Sequence, residues 1–127
     1  MAATDPPNAQ PAVSVIIPAR NEEACLGACL QSLVRQEEFA FEIIVVDDHS
    51  TDRTREIASS FSDPRIRLVE AGPLPAGWTG KNNAVIAGAR VACGQWLLFT
   101  DADTEHRSGW LARSVAEASR HGAALLS

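Results

Sequence analysis

The sequence contains a single lysine, only three cysteines, and no apolar run near the ~20 residues needed to cross a bilayer. Each scarcity excludes something. With 11 basic residues against 16 acidic ones, and a net charge of −5, the chain lacks the cationic surplus that general nucleic-acid binding requires. No nucleic-acid partner is expected. Cys25, Cys29 and Cys93 are odd in number and show no framework spacing, which argues against a disulfide-stapled secreted domain. Cys25 and Cys29 would share a face of a helix, but no histidine lies near them in sequence to complete a metal site. All three are expected to be small core residues. The opening MAATDPPNAQPA has no basic region followed by an apolar stretch, so it reads as a flexible tail over residues 1–12 and not as a signal peptide. The expected location is cytoplasmic, with membrane association reserved for a longer form of the protein.

What is present is one domain's worth of chain. At 127 residues and 46% hydrophobic, it is long enough for a core yet short for an enzyme with two substrates. Short apolar, β-branched runs read as buried parallel strands at Val13–Ile17, Ile43–Val46, Ile66–Val69 and Trp96–Phe99. Helical signals lie between them. Asn21 is the expected N-cap of a first helix carrying Leu26, Leu30, Leu33 and Val34 on one stripe. Ser50, Thr51 and Asp52 offer caps for a second helix reaching Ser60. Asn82 or Asn83 opens a third that runs to Ala92 before Gly94. A fourth spans Ser108 to Arg120, with Trp110, Leu111, Val115 and Ala118 inward and Gly122 as its stop. This alternation predicts an α/β fold with an open, mostly parallel sheet flanked by helices. Ala123–Leu126 reads as the opening of a fifth strand in which the chain stops. That would leave a sheet edge through which copies could associate.

In such a sheet, ligands bind beyond the carboxyl ends of the strands. Four clusters of polar or conformationally special residues fall there: Pro18 to Glu22, Asp47 to Ser50, the Gly72–Asn83 loop, and Thr100 to Thr104. Asp101 and Asp103 form a D-x-D at the end of a strand. Two carboxylates so placed suit a hard cation such as Mg²⁺ or Mn²⁺ that also takes phosphate oxygens, although a solvated capping turn would look the same. Of Asp47 and Asp48, one could accept a hydrogen bond from a nucleobase; alternatively Asp47 braces the turn and only Asp48 faces ligand. His49 reads as their polar neighbour. Lys81 could neutralise phosphate, and Gly77 and Gly80 would let backbone approach a ligand. The loop is not a P-loop, since Trp78 stands where the lysine belongs and Asn82 follows Lys81 in place of Ser or Thr. Trp78 either stacks on a ligand or pins the loop to the core.

In this order, SVIIPARNEE, FEIIVVDDHSTDRT, the GK-containing loop and WLLFTDADT resemble the family 2 glycosyltransferases, from Val13 to about Ala118. The resemblance implies a GT-A, Rossmann-like fold truncated after the D-x-D half. Residues 13–127 would then form the part that binds the donor, a nucleotide-diphosphate sugar with UDP as the expected nucleotide. Transfer would be metal-dependent and inverting. By motif position, Pro18, Ala19 and Glu22 would line the nucleoside pocket, and Asp48 would meet the base. Lys81 would lie near base or diphosphate, and Asp101 and Ala102 near the ribose. Asp103, with Asp101, would hold Mn²⁺ or Mg²⁺. The GWTGK loop is similar to that of members acting in hopanoid and carotenoid glycosylation, which implies a lipid-like acceptor.

The family's general base comes from its second half, and no matching segment follows Asp103. The catalytic base is therefore not assigned. The alternative reading is a nucleotide-binding fragment or subunit without turnover. A haloacid-dehalogenase-type phosphatase also places D-x-D after a strand. Here, however, Glu105 stands where Thr or Val is usual, and the motif comes last where it normally comes first.

Overall fold

The computed structural model describes residues 11–37 and 39–120, together with the backbone of a two-residue strand at 125–126. The elements run β1 (Val13–Ala19), α1 (Leu26–Val34), β2 (Phe41–Asp47), α2 (Thr54–Ser60), β3 (Ile66–Glu70), α3 (Gly80–Val91), β4 (Trp96–Phe99), α4 (Trp110–Arg120) and β5 (Leu125–Leu126). The strands pair in the order β3-β2-β1-β4-β5, and every pairing is parallel. The expected open α/β sheet is therefore present, and the Ala123–Leu126 strand is realised at its last two residues. Residues 121–124, which include His121, Gly122 and Ala123, lie outside the described residues, as does the tail over residues 1–10. Ala12, expected to be tail, is bonded to the sheet just before β1. Its amide donates to the Ala40 carbonyl at 2.8 Å, and its own carbonyl accepts from Trp96 at 3.0 Å.

The two-residue periodicity of the strands sorts side chains onto two faces. Val13, Val15, Ile17, Ile43 and Val45 join Leu26, Leu30 and Leu33 of α1 and Leu111 and Val115 of α4 in one core. Ile16, Ile44 and Val46 point the other way and pack with Ala84 of α3. α3 lies close to the sheet because it offers small residues there. A methyl group on Gly88 would stand 2.6 Å from Ile16 Cγ2.

Three helix starts differ from expectation. α2 is entered at Arg53, with no side-chain cap, and not at Ser50, Thr51 or Asp52. Asn21 does not cap α1; it adopts a left-handed backbone with φ of 52°, and the helix begins at Leu26 after a turn. α3 begins at Gly80 and not at Asn82 or Asn83. Its cap is Thr79, whose side chain accepts the Asn82 amide. Asn83 is buried within the first turn, where its Nδ2 donates to the carbonyls of Ala71, Gly72 and Pro73. It thereby ties the loop after β3 to α3.

At the amino edge of the sheet a charged group takes an apolar position. Glu42 is nearly buried, and its carboxylate accepts from Ser14 Oγ at 2.6 Å, the Cys93 amide at 2.7 Å and Arg67 Nη1 at 3.2 Å. Ser14 Oγ in turn accepts the Gly94 amide at 2.8 Å. These bonds latch the α3–β4 turn onto β1 and β2. Each is charge-assisted or shielded, and removing the shared acceptor strands several donors at once. Glu42→Ala is expected to lower unfolding free energy by about 3 kcal/mol, measured by urea denaturation. A loss below about 1 kcal/mol would mean that water replaces the carboxylate.

Candidate functional site

The chain leaves β1 through β2 to β3 on one side, then returns to add β4 on the other side of β1. Beyond the carboxyl ends of β1 and β4 this reversal opens a crevice. Ladder bonds carry the strands into it: Asp48 donates its amide to Ala19 at 2.9 Å, and Thr100 donates to Ile16 at 3.1 Å. A cavity of about 380 Å³ occupies the crevice, lined by Pro18, Ala19, Glu22, Asp48, Lys81, Asp101, Ala102 and Asp103, and also by Arg20, Gly80 and Ala84. The structure thus brings all eight residues singled out in the sequence to one cavity. Ala84 was not anticipated; as a small residue inside a helix, it carries no chemical signal of its own.

The first wall of the cavity is built by stitching two loops together. The Asn21 amide donates to Ser50 Oγ at 2.9 Å, and Asn21 Oδ1 accepts the Thr51 amide at 2.8 Å. The Glu22 amide donates to Thr54 Oγ1 at 2.8 Å, and the Glu23 amide to Asp52 Oδ2 at 3.2 Å. Asp52 also accepts the Thr54 hydroxyl at 2.5 Å and the Thr54 amide at 2.9 Å; desolvation raises its carboxyl, but these bonds outweigh it and hold the group below the usual range. Ser50, Asp52 and Thr54 therefore hold the β1–α1 loop in place. Glu22 is further fixed by Cys25, whose Sγ donates to Glu22 Oε2 at 3.1 Å. Burial first, and then this carboxylate, push the Cys25 thiol up to about 11.

Asp47 and Asp48 divide their tasks. Asp47 is fully buried; its Oδ2 accepts the Ser50 amide at 3.4 Å and lies 3.8 Å from Arg55 Nε, while Oδ1 has no partner among the described residues. Asp48 faces the cavity and receives His49 Nδ1 at 2.9 Å. His49 is thus the polar neighbour it was expected to be. Gly80 abuts Asp48 so closely that a Cβ there would fall 2.5 Å from Asp48 Oδ2. Opposite, Lys81 Nζ bonds Asp101 Oδ1 at 3.0 Å, linking the Gly-rich loop to the D-x-D. Both side chains are well exposed, so this pair contributes little to stability and is free to open for a ligand.

The segment from the D-x-D into α4 is held from behind by α1 and the residues just after it. Ser32 Oγ accepts the His106 amide at 2.9 Å, and buried Gln36 donates to the Arg107 carbonyl at 2.9 Å while accepting the Leu111 amide at 3.0 Å. Cys29 Sγ points to the Asp101 carbonyl at 3.8 Å, with its thiol pushed by burial to about 12. Cys29 is the core cysteine of the three; Cys25 is half-buried and Cys93 exposed, contrary to the expectation that all would be core. His106 bonds Thr100 Oγ1 at 2.8 Å and packs on Trp110 at 3.9 Å between ring centres; burial lowers its pKa. His106 and Trp110 line a second cavity of about 590 Å³ that shares Pro18, Lys81 and Asp101 with the first. Trp78 is 41% exposed and lines neither of these two cavities.

The donor set suits a hard cation. Asp101 and Asp103 present oxygen ligands only, and no cluster of three or more His, Cys, Asp or Glu ligands occurs among the described residues. Two carboxylates with room for phosphate oxygens fit Mg²⁺ or Mn²⁺ better than a metal needing a protein cage.

Known proteins bear on this geometry. The model of the glycosyl transferase family 2 matches residues 14–127. A 4,4'-diaponeurosporenoate glycosyltransferase of Staphylococcus aureus is 37% identical over 92 residues, covering 72% of this chain and 24% of the relative. The structure of S. aureus TarS in complex with UDP-GlcNAc superposes with a TM-score of 0.70 at 28% identity, covering 87% of this chain and 32% of that one. The mannosyltransferase PcManGT of Pyrobaculum calidifontis, in complex with GDP-Man and Mn²⁺, gives 0.71 at 31% identity, with coverage of 89% and 34%. The chain therefore spans about a quarter of that curated relative and about a third of these solved structures. Family model, fold and motif order agree: the chain belongs to glycosyl transferase family 2 and carries a GT-A-type fold.

Proposed function

We propose that residues 13–127 form the donor-binding part of a transferase that moves a sugar from a nucleoside diphosphate, UDP in the first instance, to a lipid-like acceptor. The observation that carries this reading is the convergence of Pro18, Ala19, Glu22, Asp48, Lys81, Asp101, Ala102 and Asp103 on one cavity at the topological switch point. The nucleoside would lie against Pro18, Ala19 and Glu22, with its base accepted by Asp48 and its ribose beside Asp101 and Ala102. Relatives solved with UDP-GlcNAc or with GDP-Man and Mn²⁺ support a donor of this class. The name of the 4,4'-diaponeurosporenoate glycosyltransferase supports an apolar acceptor.

Charge makes the case for a metal. Four carboxylates (Glu22, Asp48, Asp101, Asp103) and two cations (Arg20, Lys81) line the cavity. A diphosphate would be repelled by that wall without a compensating cation. Asp103 and Asp101 would hold Mn²⁺ or Mg²⁺, which when bound offsets the charge of the departing diphosphate. Lys81 would then exchange its bond with Asp101 for one to phosphate. The second cavity, adjoining through Pro18, Lys81 and Asp101, has space for the sugar. In an inverting transfer the acceptor oxygen bonds the anomeric carbon from the face opposite the phosphate oxygen that leaves, and a base removes the acceptor proton. No residue of this chain is assigned that base. Alone, the chain is proposed to bind donor without turning it over.

Calorimetric titration of UDP, GDP and ADP, with Mn²⁺ and then with chelator, tests the reading. One nucleotide is expected to bind only with metal, and Asp103→Ala to abolish the heat. Nucleotide binding indifferent to both chelator and Asp103→Ala would contradict it. Gly80→Ala probes the Asp48 wall separately. Displacing the carboxylate should weaken nucleotide binding roughly tenfold while changing unfolding free energy by less than about 1 kcal/mol. Unchanged affinity would remove Asp48 from the base pocket.

A further inference from the structure

Three large apolar side chains stand exposed among the described residues, and all belong to the loop before α3 or to α3 itself. Leu74 is 52% exposed, Trp78 41% and Ile86 38%. Trp78 and Ile86 meet across a groove of about 390 Å³ completed by Gly77, Asn82 and Val85. Leu74 lies in the same loop, just before the turn in which the Trp78 amide bonds the Pro75 carbonyl. The loop is held in this posture by Asn83, which fixes its start, and by Thr79, which caps the helix at its end.

The charge pattern of this region is opposite to that of the chain. From Ala71 to Thr100 there is no acidic residue, although the chain carries 16. The charges present in that stretch are Lys81 and Arg90, both exposed; Lys81 is paired with Asp101, so Arg90 is the cation this face offers. Arg90 follows Ile86 by four residues on α3, so the two share a helix face. An apolar fringe with an exposed tryptophan, a neighbouring cation and no nearby sequence acid is complementary to an anionic bilayer surface. There an indole sits at headgroup depth and basic side chains meet lipid phosphate.

We propose that Leu74, Trp78 and Ile86 form a lipid-surface contact, with Arg90 meeting anionic headgroups. Val85 lines both this groove and the 590 Å³ cavity that contains Lys81 and Asp101. The contact therefore places the cavities at the membrane surface, where an apolar acceptor would arrive. The contact itself rests on exposure and charge; the arrival of an apolar acceptor there rests on the proposed function.

The test is flotation of the 127-residue chain with phosphatidylcholine vesicles, with and without phosphatidylglycerol, alongside quenching of tryptophan emission by brominated acyl chains. Flotation with the anionic vesicles and quenching are expected. Leu74→Ser combined with Trp78→Ser should reduce partition at least about tenfold, and Trp78→Ser alone should remove the quenching. Arg90→Gln should cost about fivefold on anionic vesicles and nothing on pure phosphatidylcholine. The substituted side chains are exposed, and circular dichroism confirms that each variant is folded. Failure of the wild-type chain to float would overturn the proposal, as would partition indifferent to these substitutions. Loss of a dimer in sedimentation, with flotation unchanged in the Leu74/Trp78 variant, would assign the face to a second copy of the chain instead.

Discussion

The parallel placement of β1 between β2 and β4 is the constraint on which the rest depends. Because all three strands run the same way, their carboxyl ends deliver Ala19, Asp47, Asp48 and the D-x-D to one edge. Because β4 returns to the opposite side of β1 from β2, that edge contains a crevice and not a continuous rim. No single side chain creates the site. Chain topology creates it, and the polar residues occupy what topology leaves open.

The opposite edge shows what this arrangement requires elsewhere. There the α3–β4 turn must close over the start of β1, and Gly94 approaches so tightly that a Cβ would lie 2.6 Å from the Ser14 amide nitrogen. Glu42 and Ser14 satisfy the exposed amides of that turn. A carboxylate in a strand is tolerated at this point because it meets several donors together. The two edges thus use acids differently: Glu42 meets several donors at once, whereas Asp48 and Asp101 each hold one protein partner, His49 and Lys81.

Much of this was legible in the sequence, for a physical reason. Apolar runs such as Ile43–Val46 and Trp96–Phe99 report burial on both faces, which is a local property, and β4 has the bounds expected of it. The carboxyl-edge residues were legible because topology maps a sequence position, the end of a strand, directly to a place. Long-range hydrogen bonding was not legible. Asn21 looked like a cap because its residue type favours caps; its left-handed backbone and its bonds to Ser50 and Thr51 depend on a loop 29 residues away. Asn83 looked like a helix start, whereas it binds carbonyls 10 to 12 residues earlier. Thr79 was a better cap but stood beyond a glycine that suggested loop. Ser32 and Gln36 gave no signal at all, since their partners lie over 70 residues away.

The central claim is that a nucleoside diphosphate and a divalent cation occupy the crevice between β1 and β4. Amide chemical-shift mapping by NMR, with UDP and Mg²⁺ added together to isotopically labelled chain, addresses it most directly. The account predicts perturbations concentrated at Ala19, Asp48, Gly80 and Asp101 to Asp103, with Ser14, Glu42 and Gly94 at the amino edge unmoved. Shifts centred on the amino edge, or scattered without focus over the helices, would contradict it.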